Sequence, residues 1–238
     1  MNVRGKKALV LGGTSGIGLA AARQLVERGA AVTVMSRSSA NRAAAEAELG
    51  SAVTIRELDV LDREGMARTF AELAPFDILV NAATGGERAV GPFLRMDLDG
   101  FQGSFRKLWG YVNTVRLGAE HLSANGCVVL VSGSPARKCA LGMAAISTVG
   151  NAVEGFMRAV APELAPRRIN VVSPGTIDTP MFPVQGEARE KFLANATAGA
   201  LLKRPGTADE VAQGILFAIE NDYVTGSVID VDGGALLP

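Results

Sequence analysis

The sequence predicts an α/β chain built on one doubly wound sheet of about seven parallel strands, with helices on both faces. Three observations carry this. Short β-branched apolar runs alternate with longer Ala- and Leu-rich stretches from end to end. The apolar runs are continuous rather than alternating, which is how strands buried on both faces read. No linker-like shift in composition and no low-complexity segment divides the 238 residues, so residues 1–238 read as a single domain.

The elements follow in order. Residues 8–11 form the first strand, and 16–28 have helical spacing. Strand 31–35, helix 41–49, strand 53–58, helix 63–73 and strand 77–80 complete the first half. In the second half, 98–122 contains a long helix, 127–131 is a strand and 144–164 a helix. Strand 169–172, helix 207–219 and strand 227–231 close the chain. Residues 181–200 interrupt the alternation, with helix-favouring residues from 187 to 193, and read as a lid over the substrate side of a site.

Composition bounds the function. Hydrophobic residues make up 48% but aromatics only 5%, so the core is Ala, Val, Leu and Ile. Lys plus Arg and Asp plus Glu number 24 each, and this zero net charge argues against nucleic acid or an anionic membrane as partner. Cys127 and Cys139 are too few for a disulfide framework, and with the lone His121 they make no metal site. The short charged start runs straight into a strand, and no apolar run approaches the ~20 residues needed to cross a bilayer. A cytoplasmic setting is expected. Acid–base side chains are scarce: two tyrosines, Tyr111 and Tyr223, and one histidine.

The first strand leads into Leu11-Gly12-Gly13-Thr14-Ser15-Gly16-Ile17-Gly18, and a helix follows. Glycines there allow a tight turn and close approach of a ligand, and the helix dipole favours an anion such as a pyrophosphate. A strand-to-helix position is the context a dinucleotide site requires. The second strand ends Met35-Ser36-Arg37-Ser38 without the acid that usually holds the ribose of NAD. A guanidinium between two hydroxyls suits a 2′-phosphate, so NADP(H) is expected over NAD(H). The alternative is an Arg37 that is a solvated charge, or that stacks on adenine without choosing a cofactor.

With these residues in place, the chain resembles the short-chain dehydrogenase/reductase family over essentially its whole length. Residues 11–18 resemble that family's Thr-Gly-x-x-x-Gly-x-Gly, with Leu11 for the threonine. Asp59-Val60 is similar to its adenine-contacting Asp-Val, and Asn81-Ala82-Ala83-Thr84 to its Asn-Asn-Ala-Gly. The run Pro174-Gly175-Thr176-Ile177-Asp178-Thr179 looks like the Pro-Gly turn and Ile-x-Thr that hold the nicotinamide amide. The resemblance implies a Rossmann-type fold, a homodimer or homotetramer, and cofactor contacts from Gly12, Thr14, Ser15, Gly16, Ile17, Ser36, Arg37, Ser38, Asp59, Val60, Asn81, Ala82, Ala83, Pro174, Gly175, Ile177 and Thr179.

The family's chemistry is hydride transfer between a nicotinamide and an alcohol or carbonyl, run by a Tyr-x-x-x-Lys pair, a serine and an asparagine. Residues 144–155 resemble the segment carrying that pair without gaps, yet Ile146 holds the tyrosine position and Gly150 the lysine position. Counting back to the preceding strand places Gly133 at the serine position, and Lys107 stands at the asparagine position. Losing the acid, its lysine and the orienting hydroxyl together should abolish ordinary ketone reduction.

Lys107 is a candidate acid if burial lowers its pKa, or else it fills space and neutralises a phosphate or carboxylate. Ser134 and Lys138 are four apart in a Pro-containing loop, a spacing read as accidental. Cys139 reads as an inert thiol, His121 as a helix-end residue, and Trp109 with Tyr111 as interface packing. Three functions stay open: an NADP(H)-dependent oxidoreductase with an altered proton route, a catalytically silent NADP(H)-binding sensor or partner subunit, and a non-redox isomerase, cyclase or lyase. The substrate is not readable from the sequence.

Overall fold

The computed structural model describes residues 1–182 and 184–237. The strands are β1 (Lys7–Leu11), β2 (Ala31–Ser36), β3 (Val53–Glu57), β4 (Phe76–Asn81), β5 (Leu122–Val131), β6 (Arg168–Pro174), β7 (Ile177–Asp178), β8 (Gly206–Thr207) and β9 (Val228–Val231). Seven of them form one parallel sheet in the order β3-β2-β1-β4-β5-β6-β9, the expected doubly wound architecture. The remaining two, β7 and β8, make a separate parallel pair that the sequence did not announce.

The helices are α1 (Gly16–Glu27), α2 (Ser39–Leu49), α3 (Arg63–Leu73), α4 (Leu98–Ser104), α5 (Arg106–Gly118), α6 (Ala144–Leu164), α7 (Gly186–Thr197) and α8 (Ala208–Glu220). Continuous apolar strands follow from two buried faces. Ala8, Val10, Ile78, Val80, Val129 and Val131 pack towards α1 and α8, while Leu9, Leu11, Leu79, Val128 and Leu130 pack towards α3, α5 and α6. Each strand thus contributes alternate residues to two separate cores.

The long helix expected within 98–122 is two helices, broken at Phe105 (ψ −8°). Its first part carries Gly100 and Gly103, poor helix formers. The Ser104 hydroxyl also donates to the Gly100 carbonyl and accepts from the Ala89 N–H, both at 2.9 Å. That bond ties the helix end to the chain after β4. Strand β5 begins at Leu122, five residues earlier than expected. The segment 181–200 contains α7, longer than the 187–193 stretch, and β7–β8 pairing joins the chain before it to the chain after it. Among the described residues, no helix is long and apolar enough to cross a membrane.

Strand order reverses beside β1, where β2 lies on one side and β4 on the other. In such sheets the crevice outside the carboxyl ends of the strands is where ligands bind. The chain after β1, β2, β4, β5 and β6 gathers at that edge.

Candidate functional site

The turn between β1 and α1 is tight. Gly12 has φ +72°, and a Cβ there would lie 2.6 Å from the Ala83 nitrogen and 2.8 Å from the Ala82 carbonyl carbon. A Cβ on Gly18 would meet the Gly12 carbonyl oxygen at 2.1 Å. Only glycine lets α1 start this close to the turn and the turn this close to residues 82–83. Ser15 stands at the N-cap of α1 but makes no side-chain capping bond, and the first turn holds no acid. The first N–H groups of α1 are thus left for an external anion.

Residues 175–179 reach the same turn. Gly16 (φ +51°) faces the side chain of Thr179, whose Cβ and Cγ2 would be 3.5 Å from an added Cβ. Ile177 and Thr179 are buried, as is Thr14. Gly175 packs against Asp232, where a Cβ would come within 2.8 Å of the backbone oxygen. Pro174 ends β6 in register with Val231 of β9. Residues 12–17, 82–83 and 174–179 therefore build one cradle that added side chains would fill, and it fits a dinucleotide.

At the other end, the Arg37 guanidinium lies 3.4 Å from the Asp59 carboxylate and is half exposed. The second Asp59 oxygen accepts from the Leu61 N–H at 2.9 Å. The Ser36 hydroxyl accepts from the Ser38 N–H, and the Ser38 hydroxyl caps α2 through the Asn41 N–H at 3.2 Å. Sequence reasoning missed Arg42, which donates to the Ser36 and Arg37 carbonyls (2.9 and 2.8 Å) and to Glu57 (2.6 Å). It fixes the backbone that presents Arg37. Its only signal was an arginine one turn past an N-cap serine.

Val60 is buried; its carbonyl accepts from Asn113 at 3.0 Å. Asn81 is fully buried, and its amide donates to the Thr114 hydroxyl at 2.7 Å while its carbonyl oxygen accepts from the Ala83 N–H at 2.9 Å. Its side chain is used inside the protein, tying β4 to α5 and shaping the turn at 82–83.

The four catalytic positions come together around the end of β5. Gly133 follows that strand in extended conformation (φ 168°, ψ 149°), and residues 134–136 form a short 3-10 turn. That turn packs onto α6 at Gly150, where a Cβ would lie 2.8 Å from the Ala136 Cβ and 3.2 Å from its Cα. The Ser132 hydroxyl donates to the Gly150 carbonyl at 3.3 Å, and the Asn151 amide donates to the Ala136 carbonyl. The space where a longer side chain at position 150 would begin is therefore occupied by Ala136. Ile146, one turn earlier on α6, brings no proton-bearing group.

Lys107 is the ionisable group of this cluster. It sits on α5, partly buried, and its ammonium donates to the Ser132 carbonyl at 3.3 Å. The nitrogen also lies 5.5 Å from the centroid of the Tyr111 ring. Burial pushes its pKa down to about 7, and the positive charge of Arg88 adds to the effect.

Other candidates point elsewhere. The Tyr111 hydroxyl is buried, donates to the Val131 carbonyl at 2.7 Å, and is pushed up by that burial, so it is no acid for the cleft. The Lys138 ammonium donates to the Ala235 and Leu237 carbonyls (2.5 and 3.2 Å), fastening the loop to the C-terminal segment and leaving Ser134 without a base. Cys139 is exposed, whereas burial raises the Cys127 thiol to about 11. His121 ends a 3-10 turn after α5.

Comparison with known proteins fits this geometry. A family model described as enoyl-(acyl carrier protein) reductase matches residues 12–235. Carbonyl reductase family member 4 of Xenopus tropicalis is 32% identical over 242 residues, covering 98% of each chain. The chain belongs to the short-chain dehydrogenase/reductase family. Among solved members, a small-chain dehydrogenase in complex with NADPH is 29% identical, with a TM-score of 0.83 over 98% of this chain and 100% of its own. A second, described as the MalC reductase/Diels-Alderase of Malbranchea aurantiaca, is 25% identical, with a TM-score of 0.90 over 99% and 97%. The family's Rossmann-type, seven-stranded sheet is the sheet described above.

Proposed function

We propose that this chain is an NADP(H)-dependent oxidoreductase of the short-chain type, acting on a small carbonyl, alcohol or activated double bond, with its proton carried by Lys107. The observation that carries the reading is an ammonium at the end of β5, the Lys107 nitrogen donating to the Ser132 carbonyl at 3.3 Å, where burial lowers its pKa. Gly12, Gly16 and Gly175 cradle the dinucleotide, the first turn of α1 takes its pyrophosphate, and Arg37 with Ser36 and Ser38 takes the 2′-phosphate. Bound there, NADP(H) supplies or accepts the hydride.

Lys107 gives its proton to the carbonyl oxygen in reduction and takes it back in the reverse direction. A proton donor works best when its pKa lies near the operating pH, which burial has arranged here. Ile146 walls the reacting centre with apolar surface. The protein is expected in the cytoplasm as a homodimer or homotetramer.

A second reading is favoured by the aliphatic side chain at position 146. Without an acid there, the pocket suits a non-redox bond-forming reaction, and the neighbour described as a reductase/Diels-Alderase supports such a double capacity on this fold. A silent NADP(H)-binding subunit is the third.

NADPH oxidation over a panel of aldehydes, ketones and oxo acids separates them. Lys107→Met should lower turnover by about 10²–10⁴-fold, with NADPH affinity unchanged. Turnover that survives the substitution would overturn the role of Lys107. NADPH binding without turnover on any member of the panel would favour the other two readings.

A further inference from the structure

The chain after β4 brings a second cation to Lys107. Gly85 (φ +77°) lies so close to the start of α5 that a Cβ there would be 2.7 Å from the Lys107 backbone nitrogen and from the Arg106 carbonyl carbon. Ala89 donates its N–H to the Ser104 hydroxyl at 2.9 Å, and Gly91 donates to the Gly142 carbonyl at 2.9 Å. Residues 85–91 are clamped at three points around the α4–α5 junction, with Arg88 between the first two. Arg88 is itself exposed, within reach of a ligand arriving from solvent.

Among the described residues, no carboxylate lies within 4.0 Å of Arg88, Arg106 or Lys107. Arg88 and Arg106 line a recess of about 430 Å³ with Glu87 and Asp99, neither of which closes an ion pair there. Holding like charges together costs free energy that an incoming anion would relieve. A single guanidinium fork matches a carboxylate in bidentate geometry. The two acids of the recess repel a doubly charged phosphate more strongly than a singly charged carboxylate.

We propose that Arg88 is a specificity-determining residue that holds the carboxylate of an oxo-acid substrate and so delivers its carbonyl beside Lys107. The proposal rests on the oxidoreductase reading for the fate of that carbonyl, but the carboxylate site stands on its own. An anion at Arg88 also cancels the charge that repels the proton on Lys107, so substrate arrival recharges the acid. Arg88, Arg106, Glu87 and Asp99 line the recess, Lys107 follows Arg106 on α5 with the Tyr111 ring centroid 5.5 Å from its nitrogen, and of these groups only the three cations gain from a bound carboxylate.

The test is calorimetric titration with acetoacetate, levulinate and their methyl esters, which differ by one charge. It is run on the protein saturated with NADP⁺, which cannot reduce them, and on the protein alone. At least one acid should bind roughly tenfold or more tightly than its ester, the loss expected when a charge-assisted pair is removed. Arg88→Gln should erase that preference and Arg88→Lys should retain part of it, with NADP⁺ affinity unchanged in both. Equal affinity for acids and esters, a preference that survives Arg88→Gln, or no acid binding at all would overturn the proposal. Failure of NADP⁺ to bind would instead overturn the cofactor reading, and the titration of the protein alone would still decide the role of Arg88.

Discussion

Lys107 ties the proposed chemistry to folding stability. An unfolded lysine holds its proton up to about its ordinary value of 10.5, whereas folded Lys107 releases it near 7. Between those values the unfolded chain binds the extra proton, so stability rises as pH climbs from 7 to 10.5 and is lowest, on this account, below 7. Lys107→Met removes the cost. Relative to the parent, the variant should gain on the order of 1–2 kcal/mol more at pH 6 than at pH 10, allowing for solvent contact of the ammonium. Urea unfolding at the two pH values measures it, and a pH-independent difference would contradict the burial of the ammonium. The sequence made Lys107 visible as a candidate because it stands at a motif position. Arg88 was not visible, since its partner is brought to it only by the clamp at Gly85 and Ala89.

At the scale of elements, α6 and the 3-10 turn after β5 are fitted to each other through Gly150. The sequence made the boundaries of α6 legible, because its apolar spacing runs unbroken from 144 to 164. It did not reveal that the empty lysine position is packed against Ala136, which is a contact between distant segments. Two glycines of the same helix test this packing. A Cβ at Gly150 meets Ala136 at 2.8 Å, whereas a Cβ at Gly155 meets nothing within 4 Å. Gly150→Ala should destabilise by about 1–3 kcal/mol through overpacking, while Gly155→Ala should stabilise by roughly 0.5–1 kcal/mol through helix propensity. Chemical denaturation of the two variants should move in opposite directions; a shared direction would mean that the turn does not press on α6. The break at Phe105 and the β7–β8 pair escaped sequence reading for a similar reason. Each involves a contact with another segment, the Ser104 hydroxyl accepting from the Ala89 N–H and β7 pairing with β8. The fastening of α7 is more local: Arg189 donates to the Thr179 and Phe182 carbonyls (2.9 and 2.7 Å) and pairs with Asp178.

Over the whole molecule, two-sided burial made the sheet legible, whereas its strand order came only with the structure. The turn between β1 and α1 was legible because a tight strand-to-helix turn needs glycines at fixed spacing, as at Gly12, Gly16 and Gly18. The pocket-shaping loops at 84–96 and 181–200 were not, because no such constraint marks their sequence. The proposed chemistry depends first on the nucleotide cradle, with Arg37 selecting NADP(H). Titration of the protein with NADPH and with NADH, followed by nicotinamide fluorescence, addresses it most directly. The account predicts enhanced emission on binding and an affinity for NADPH roughly tenfold or more above that for NADH, from the charge-assisted bonds of Arg37 to the 2′-phosphate. Equal affinities, or no binding of either nucleotide, would contradict it.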